Sequence, residues 1–133
     1  MKILLVEDHK ATRDEMRALI ECQPDMIVAA EAETGEDALD KALDTCPDVV
    51  VMDILLPGMN GIETTRKIIA KQPGMKVLAL SNHFGATLVQ AILSAGGLGY
   101  VRKNRALEEL IPALRAVATG TKYISEEIPN TKP

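Results

Sequence analysis

The sequence predicts a single α/β domain, doubly wound around a five-stranded parallel sheet, and three observations predict it. Short runs that are apolar almost throughout alternate with stretches whose apolar residues recur at helical spacing, the pattern of strands buried on both faces and joined by crossover helices. The 133 residues are an ordinary size for one domain with its own core. With one Phe, two Tyr and no Trp, that core must be filled by Val, Ile, Leu, Ala and Met, which suits helices laid on a parallel sheet.

The elements follow in order. Residues 2–6 (KILLV) form the first strand, which ends at the acidic pair Glu7 and Asp8. A helix is expected over 11–22, where Met16, Leu19 and Ile20 share a face and Pro24 lies just beyond as a stop. Strands are then expected at 26–30, 49–52, 76–80 and 99–101, alternating with helices at 35–43, 62–71, 87–94 and 107–119. The crossovers are expected to be right-handed, and the strand order expected is the flavodoxin-like 2-1-3-4-5. Residues 1–120 make up the domain. Residues 121–133 are polar, contain Pro129 and Pro133, and read as a frayed terminus or the start of a linker.

Bulk chemistry narrows the function. A net charge of -4 provides no electrostatic footprint for a nucleic-acid backbone, so this segment is not expected to bind DNA directly. Cys22 and Cys46 form no CxxC or Cys/His cluster, which argues against a zinc site or disulfide scaffold and fits the reducing cytoplasm. No apolar run approaches the roughly 18 residues of a membrane span. The N-terminus leads directly into a strand, not into a secretory leader.

In an open parallel sheet the ligand site lies beyond the carboxyl ends of the strands, and there the sequence is chemically rich. Glu7 and Asp8 follow the first strand, Asp53 the third, Ser81 the fourth, and Lys103 lies within two residues of the fifth. Three carboxylates crowded on one rim are costly unless a cation sits among them. All the candidate ligands are hard oxygens, so the cation expected is Mg2+. A carboxylate can attack phosphorus to form an acyl phosphate, and the charge on the equatorial oxygens is met by metal, ammonium and hydroxyl donors. Asp53, Mg2+, Lys103 and Ser81 fill those roles in turn. Lys103 is also expected to pair with Asp53 beforehand and to help keep it ionised.

The segments ILLVEDH, VVVMDILLPGMNGIE, VLALSNH and GYVRK, in this order and over essentially the whole chain, resemble the motifs of response regulator receiver domains, which have the CheY-like fold. Position by position, the resemblance implies Asp53 as phosphoacceptor. Glu7 and Asp8 would be the Mg2+-binding acids, one of them through water, and Leu55 a backbone carbonyl ligand. Ser81 would be the switch hydroxyl, Lys103 the lysine that meets the phosphate, and Tyr100 the switch aromatic. It also implies a sensor histidine kinase as phosphoryl donor and a change of shape on the face of the fourth helix and the fourth and fifth strands. The segment GTKYISEEI resembles the exit from NarL/FixJ-type receivers toward a LuxR-type helix-turn-helix, with homodimerisation on phosphorylation a further implication. Asn82 departs from the small residue usual after the switch hydroxyl. It and His83 are expected to line the access path to the phosphate.

Plainer readings stand beside these. Ser81 alone is an ordinary cap, Lys103 a solvated charge, Tyr100 a half-buried edge-strand aromatic, and His9 and His83 surface residues. Gly58 and Gly61 serve turn geometry after Pro57. No enzymatic turnover is expected beyond the domain's own phosphorylation and dephosphorylation. A stand-alone receiver acting by protein contacts is the alternative. A haloacid dehalogenase-type phosphohydrolase needs a second acid two residues past the nucleophile, where this chain has Leu55. An FMN carrier needs a hydroxyl-rich loop after the first strand, which is here the acidic EDHKAT at 7–12.

Overall fold

The computed structural model describes residues 1–83 and 85–125. Strands β1 (Lys2–Val6), β2 (Ile27–Ala32), β3 (Val49–Asp53), β4 (Val77–Ser81) and β5 (Gly99–Arg102) alternate with helices α1 (Lys10–Glu21), α2 (Gly35–Thr45), α3 (Gly61–Lys71), α4 (Ala86–Ser94) and α5 (Ala106–Ala118). A 3-10 turn at Lys103–Arg105 joins β5 to α5, and a short β6 (Tyr123–Ile124) follows. The sheet order is β2-β1-β3-β4-β5-β6 with every pairing parallel. The doubly wound order expected from the sequence is therefore present, and element ends differ from expectation by one or two residues. Among the described residues, no helix is long and apolar enough to cross a membrane.

Side chains alternate across each strand, so the apolar runs split between two cores. Ile3, Leu5, Val49, Val51, Leu78 and Leu80 pack against Met16 and Ile20 of α1 and Leu110, Leu114 and Val117 of α5. On the other face, Leu4, Val6, Val50 and Met52 meet Ala38 and Ala42 of α2 and Ile68 of α3. A smaller cluster of Ala79, Tyr100, Ile54 and Ile92 lies under α4. Helix starts are chemically marked: the Thr34 hydroxyl accepts from the Asp37 N–H at 3.1 Å, and the Asn60 side chain accepts from the Glu63 N–H at 2.9 Å. α5 runs through Pro112. An internal proline costs about 3 kcal/mol, and the apolar stripe of Leu110, Ala113, Leu114 and Val117 outweighs it.

One expectation is extended and another corrected. After α5 the chain returns to the sheet, where Tyr123 and Ile124 pair with Gly99 and Tyr100; among the described residues the five expected strands thus gain a short sixth, and β5 is interior. Ser125 is buried, donates its N–H to the Tyr100 carbonyl at 2.8 Å and its hydroxyl to Glu109 at 2.7 Å, and accepts from the Arg102 N–H at 3.2 Å. Residues 126–133, the rest of the expected tail, lie outside the described residues. Gly58 has the positive φ of 75° that suits a turn, but Gly61 is glycine for another reason. Its N–H bonds the Ile54 carbonyl at 2.7 Å, and a Cβ there would stand 2.2 Å from the Asp53 carbonyl oxygen. Only a bare backbone lets α3 start so close to the end of β3.

Gly61→Ala is therefore expected to lower the unfolding free energy by about 1–3 kcal/mol, because the colliding atoms are main chain and have no rotamer to escape into. Gly74→Ala, where a Cβ meets nothing within 4 Å, stays within about 0.5 kcal/mol of the parent. Urea denaturation of the two variants checks this, and equal effects would refute the close-approach account.

Candidate functional site

The strand ends converge as the parallel topology requires. β1 delivers Glu7 and Asp8, β3 ends in Asp53, β4 ends in Ser81, and the turn after β5 carries Lys103. Asp8, His9, Asp53, Leu55, Ser81, Asn82 and Lys103 line a cavity of about 130 Å³. Glu7 lies at 1% exposure and is not part of that lining. A larger cleft, about 310 Å³, is lined by Pro47, Asp48 and Lys76 at the opposite ends of the strands, with Gln72 and Ala118. It gathers no comparable set of acids.

The Lys103 ammonium sits between two carboxylates, 2.8 Å from Glu7 Oε1 and 3.2 Å from Asp53 Oδ2. The pairing expected with Asp53 is present, and Glu7 shares it. Asp53 Oδ1 accepts from the Leu55 N–H at 3.3 Å, and Glu7 Oε2 accepts from the His9 N–H at 3.1 Å. Burial raises the Asp53 pKa from 3.8 to about 6; the neighbouring Glu7 charge adds to the rise, and Lys103 and the Leu55 N–H oppose it. Asp53 is thus predominantly ionised at neutral pH, with far less margin than an exposed aspartate. Burial also works against the Lys103 charge, but Glu7 and Asp53 more than offset it and leave its pKa above the ordinary lysine value.

The donor set fits Mg2+. Asp8, Asp53 and Leu55 line the cavity, and Glu7 Oε1 is buried with no hydrogen bond of good geometry despite the nearby ammonium. Among the described residues, Glu7, Asp8 and His9 carry potential ligand atoms within 4.8 Å of one another. His9 Nδ1 lies 3.8 Å from both neighbouring carboxylates on a well-exposed side chain. It forms no nitrogen-rich shell.

The two candidate switch residues are joined through the backbone. Ser81 is buried and its hydroxyl accepts from the His83 N–H at 3.1 Å; Tyr100 donates its hydroxyl to the His83 carbonyl at 2.6 Å. Burial raises the Tyr100 pKa, and a hydrogen bond with the Ser81 side chain pulls the other way. The half-buried, edge-strand reading of Tyr100 gives way: the residue is completely buried, and β6 covers its strand. Asn82 lines the cavity, whereas His83 contributes its main chain to the hydroxyl cluster and its exposed side chain is absent from the lining.

Sequence reasoning missed Arg13. Its guanidinium is 9% exposed and donates from Nη1 to the Glu7 carbonyl at 2.8 Å, from Nε to Glu31 at 2.8 Å and from Nη2 to Glu33 at 3.5 Å. The available signal was spacing, because Arg13 falls on the helical face of Met16 and Ile20, where a cation must be partnered to be buried.

Residues 3–115 match the family model described as the response regulator receiver domain. The chain is 35% identical over 128 residues to the transcriptional regulatory protein DegU of Brevibacillus brevis, covering 96% of this chain and 54% of that protein. It is 36% identical to the response regulator GacA of Pseudomonas aeruginosa, covering 96% and 60%. The chain therefore spans between half and two thirds of these relatives. A crystal structure of a LuxR-family two-component response regulator from Aurantimonas sp. SI85-9A1 superposes with a TM-score of 0.93 at 37% identity, over 97% of this chain and 92% of that one.

The raised Asp53 pKa sets a pH dependence in the absence of divalent cations. Between about pH 4 and 6 the folded state holds a proton that the unfolded chain has released, so stability falls as the pH rises through that window. Asp53→Asn removes the charge and keeps the shape. Its melting temperature should exceed the parent's by a few degrees near neutral pH, with the gain vanishing below about pH 4. A gain of the same size at both pH values would contradict the burial of this charge.

Proposed function

The chain belongs to the response regulator receiver family, and from that premise we propose that it accepts a phosphoryl group on Asp53 from a sensor histidine kinase. The observation that carries this reading is the Lys103 ammonium held against Asp53 in the wall of an acid-lined cavity. An Asp53 carboxylate oxygen attacks phosphorus, the O–P bond forms, and the P–N bond to the kinase histidine breaks with the imidazole leaving. Asp8, Asp53 and the Leu55 carbonyl would hold Mg2+, with Glu7 reaching it through water. When bound, the ion supplies positive charge to the phosphoryl oxygens. Lys103 supplies the second positive charge and Ser81 a hydroxyl donor. Asn82 stands at the cavity wall where water would approach the product.

The output follows from the hydroxyl cluster. An aspartyl phosphate offers Ser81 a stronger acceptor than neutral partners do, and Ser81, His83 and Tyr100 are already linked by short bonds. Recruitment of Ser81 would reset the Tyr100 position and with it the face made by α4, β4 and β5. The relatives are described as a transcriptional regulatory protein and a response regulator, and each extends well beyond the matched region. We propose that in the whole protein the phosphorylated unit, residues 1–120 together with the returning strand β6, leads through the rest of 121–133 to a DNA-binding region under its control. The setting would be the cytoplasm, with homodimerisation as one consequence of phosphorylation. The stand-alone receiver remains the alternative. The domain would turn over no substrate besides its own phosphoryl group.

Incubation with acetyl phosphate and Mg2+ should add one phosphoryl mass to the chain. Asp53→Asn should abolish the gain, and a chelator should suppress it in the parent. A variant that still gains the mass would disprove the assignment of Asp53, and multiple turnover of a small phosphate ester would favour a hydrolase instead.

A further inference from the structure

We infer that Arg13 is a positioning residue for the cation pocket, acting through the main chain of Glu7 to set where the carboxylates of Glu7 and Asp8 stand. The inference rests on the proposed Mg2+ site and adds a residue that does not touch it.

The pairing of β1 with its neighbours ends at Val6, opposite Ala32 and Met52, apart from one last bond from the Glu7 N–H to the Ala32 carbonyl at 2.9 Å. The Glu7 carbonyl is thus just beyond the ladder, and Arg13 Nη1 is its donor at 2.8 Å. That carbonyl belongs to the same planar peptide unit as the Asp8 N–H and Cα. Fixing its direction therefore fixes where the Asp8 side chain starts as well as the Glu7 backbone. The guanidinium is itself held from the far side by Glu31 of β2 and by Glu33 just beyond it. Its planar fork spans three acceptors on two chain segments, a geometry that an ammonium cannot reproduce.

Position and charge predict opposite results. As a mere counter-charge, Arg13 would repel Mg2+: Arg13→Gln would tighten binding and Arg13→Lys would leave it unchanged. As a positioning residue, its loss misplaces the ligands whatever the charge. Supporting groups of this kind typically contribute about 10-fold or more to metal affinity.

The test is a titration of the unphosphorylated 133-residue chain with MgCl2, followed by amide chemical shifts, so that no phosphoryl transfer is involved. Arg13→Gln and Arg13→Lys are both expected to raise the Mg2+ dissociation constant about 10-fold. Arg17→Gln removes a cation that pairs with the same Glu31 without touching Glu7 and should stay within about 2-fold, inside the range of a purely electrostatic surface effect. Should the Arg13 variants fail to fold, Glu31→Gln, which loosens the guanidinium from behind, should weaken Mg2+ by a few-fold. Tighter binding by Arg13→Gln, parent-like binding by Arg13→Lys, or an Arg17→Gln effect as large as that of Arg13→Gln would each overturn the inference. Absence of Mg2+ binding by the parent would instead defeat the proposed function.

Discussion

The ammonium of Lys103 between Glu7 and Asp53 is the contact on which the rest of this structure depends. Two buried carboxylates on neighbouring strand ends repel each other strongly in a medium of low effective dielectric. Without a cation between them, one would have to take up a proton. Lysine reaches in from the far side of β4, so a single ion cluster ties together the ends of β1, β3 and β5. Buried ion pairs of this kind seldom add net stability, because desolvation consumes the Coulombic gain. The raised Asp53 pKa records that cost. In the proposed reaction that cost has a use, because a nucleophile needs to be charged, partly dehydrated and close to positive charge.

The sheet and the rim were legible in the sequence because both follow from simple periodicities. Continuous apolar runs identify strands covered on both sides, and parallel strands send their ends to one rim. Glu7, Asp8, Asp53, Ser81 and Lys103 could therefore be grouped before any coordinates. What escaped was set by contacts between distant segments. Arg13 has the spacing of a core-facing residue, but its partners Glu31 and Glu33 come from a distant segment and the Glu7 carbonyl from the end of β1. β6 is two residues long, too short to show any period. Gly61 looks like turn chemistry, and only the nearness of the Asp53 carbonyl shows that it is an empty place where a side chain would collide. The period puts Tyr100 on the fifth strand, but nothing in it shows that the chain returns after α5 to cover that strand.

That return changes the physical meaning of the Ser81, His83 and Tyr100 cluster. Tyr100 is bonded at both ends, by its hydroxyl to the His83 carbonyl and by its own carbonyl to the Ser125 N–H. A displacement of Ser81 or Tyr100 thus meets a strand gripped on its outer side by the segment that follows α5. Glu109 tightens the grip by accepting from both the Tyr123 and Ser125 hydroxyls, while Arg105 holds its other oxygen.

The same short strand settles how the sheet ends. An open parallel sheet normally presents a row of unpaired backbone donors and acceptors that a strand from another molecule could match. Here the chain caps that row itself, with a piece too brief to serve as a template in turn. At the opposite margin β2 carries a single charged side chain, Glu31, held by both Arg13 and Arg17. The backbone seam formed within the chain at β6 leaves that margin of the sheet little free main chain to lend to another molecule.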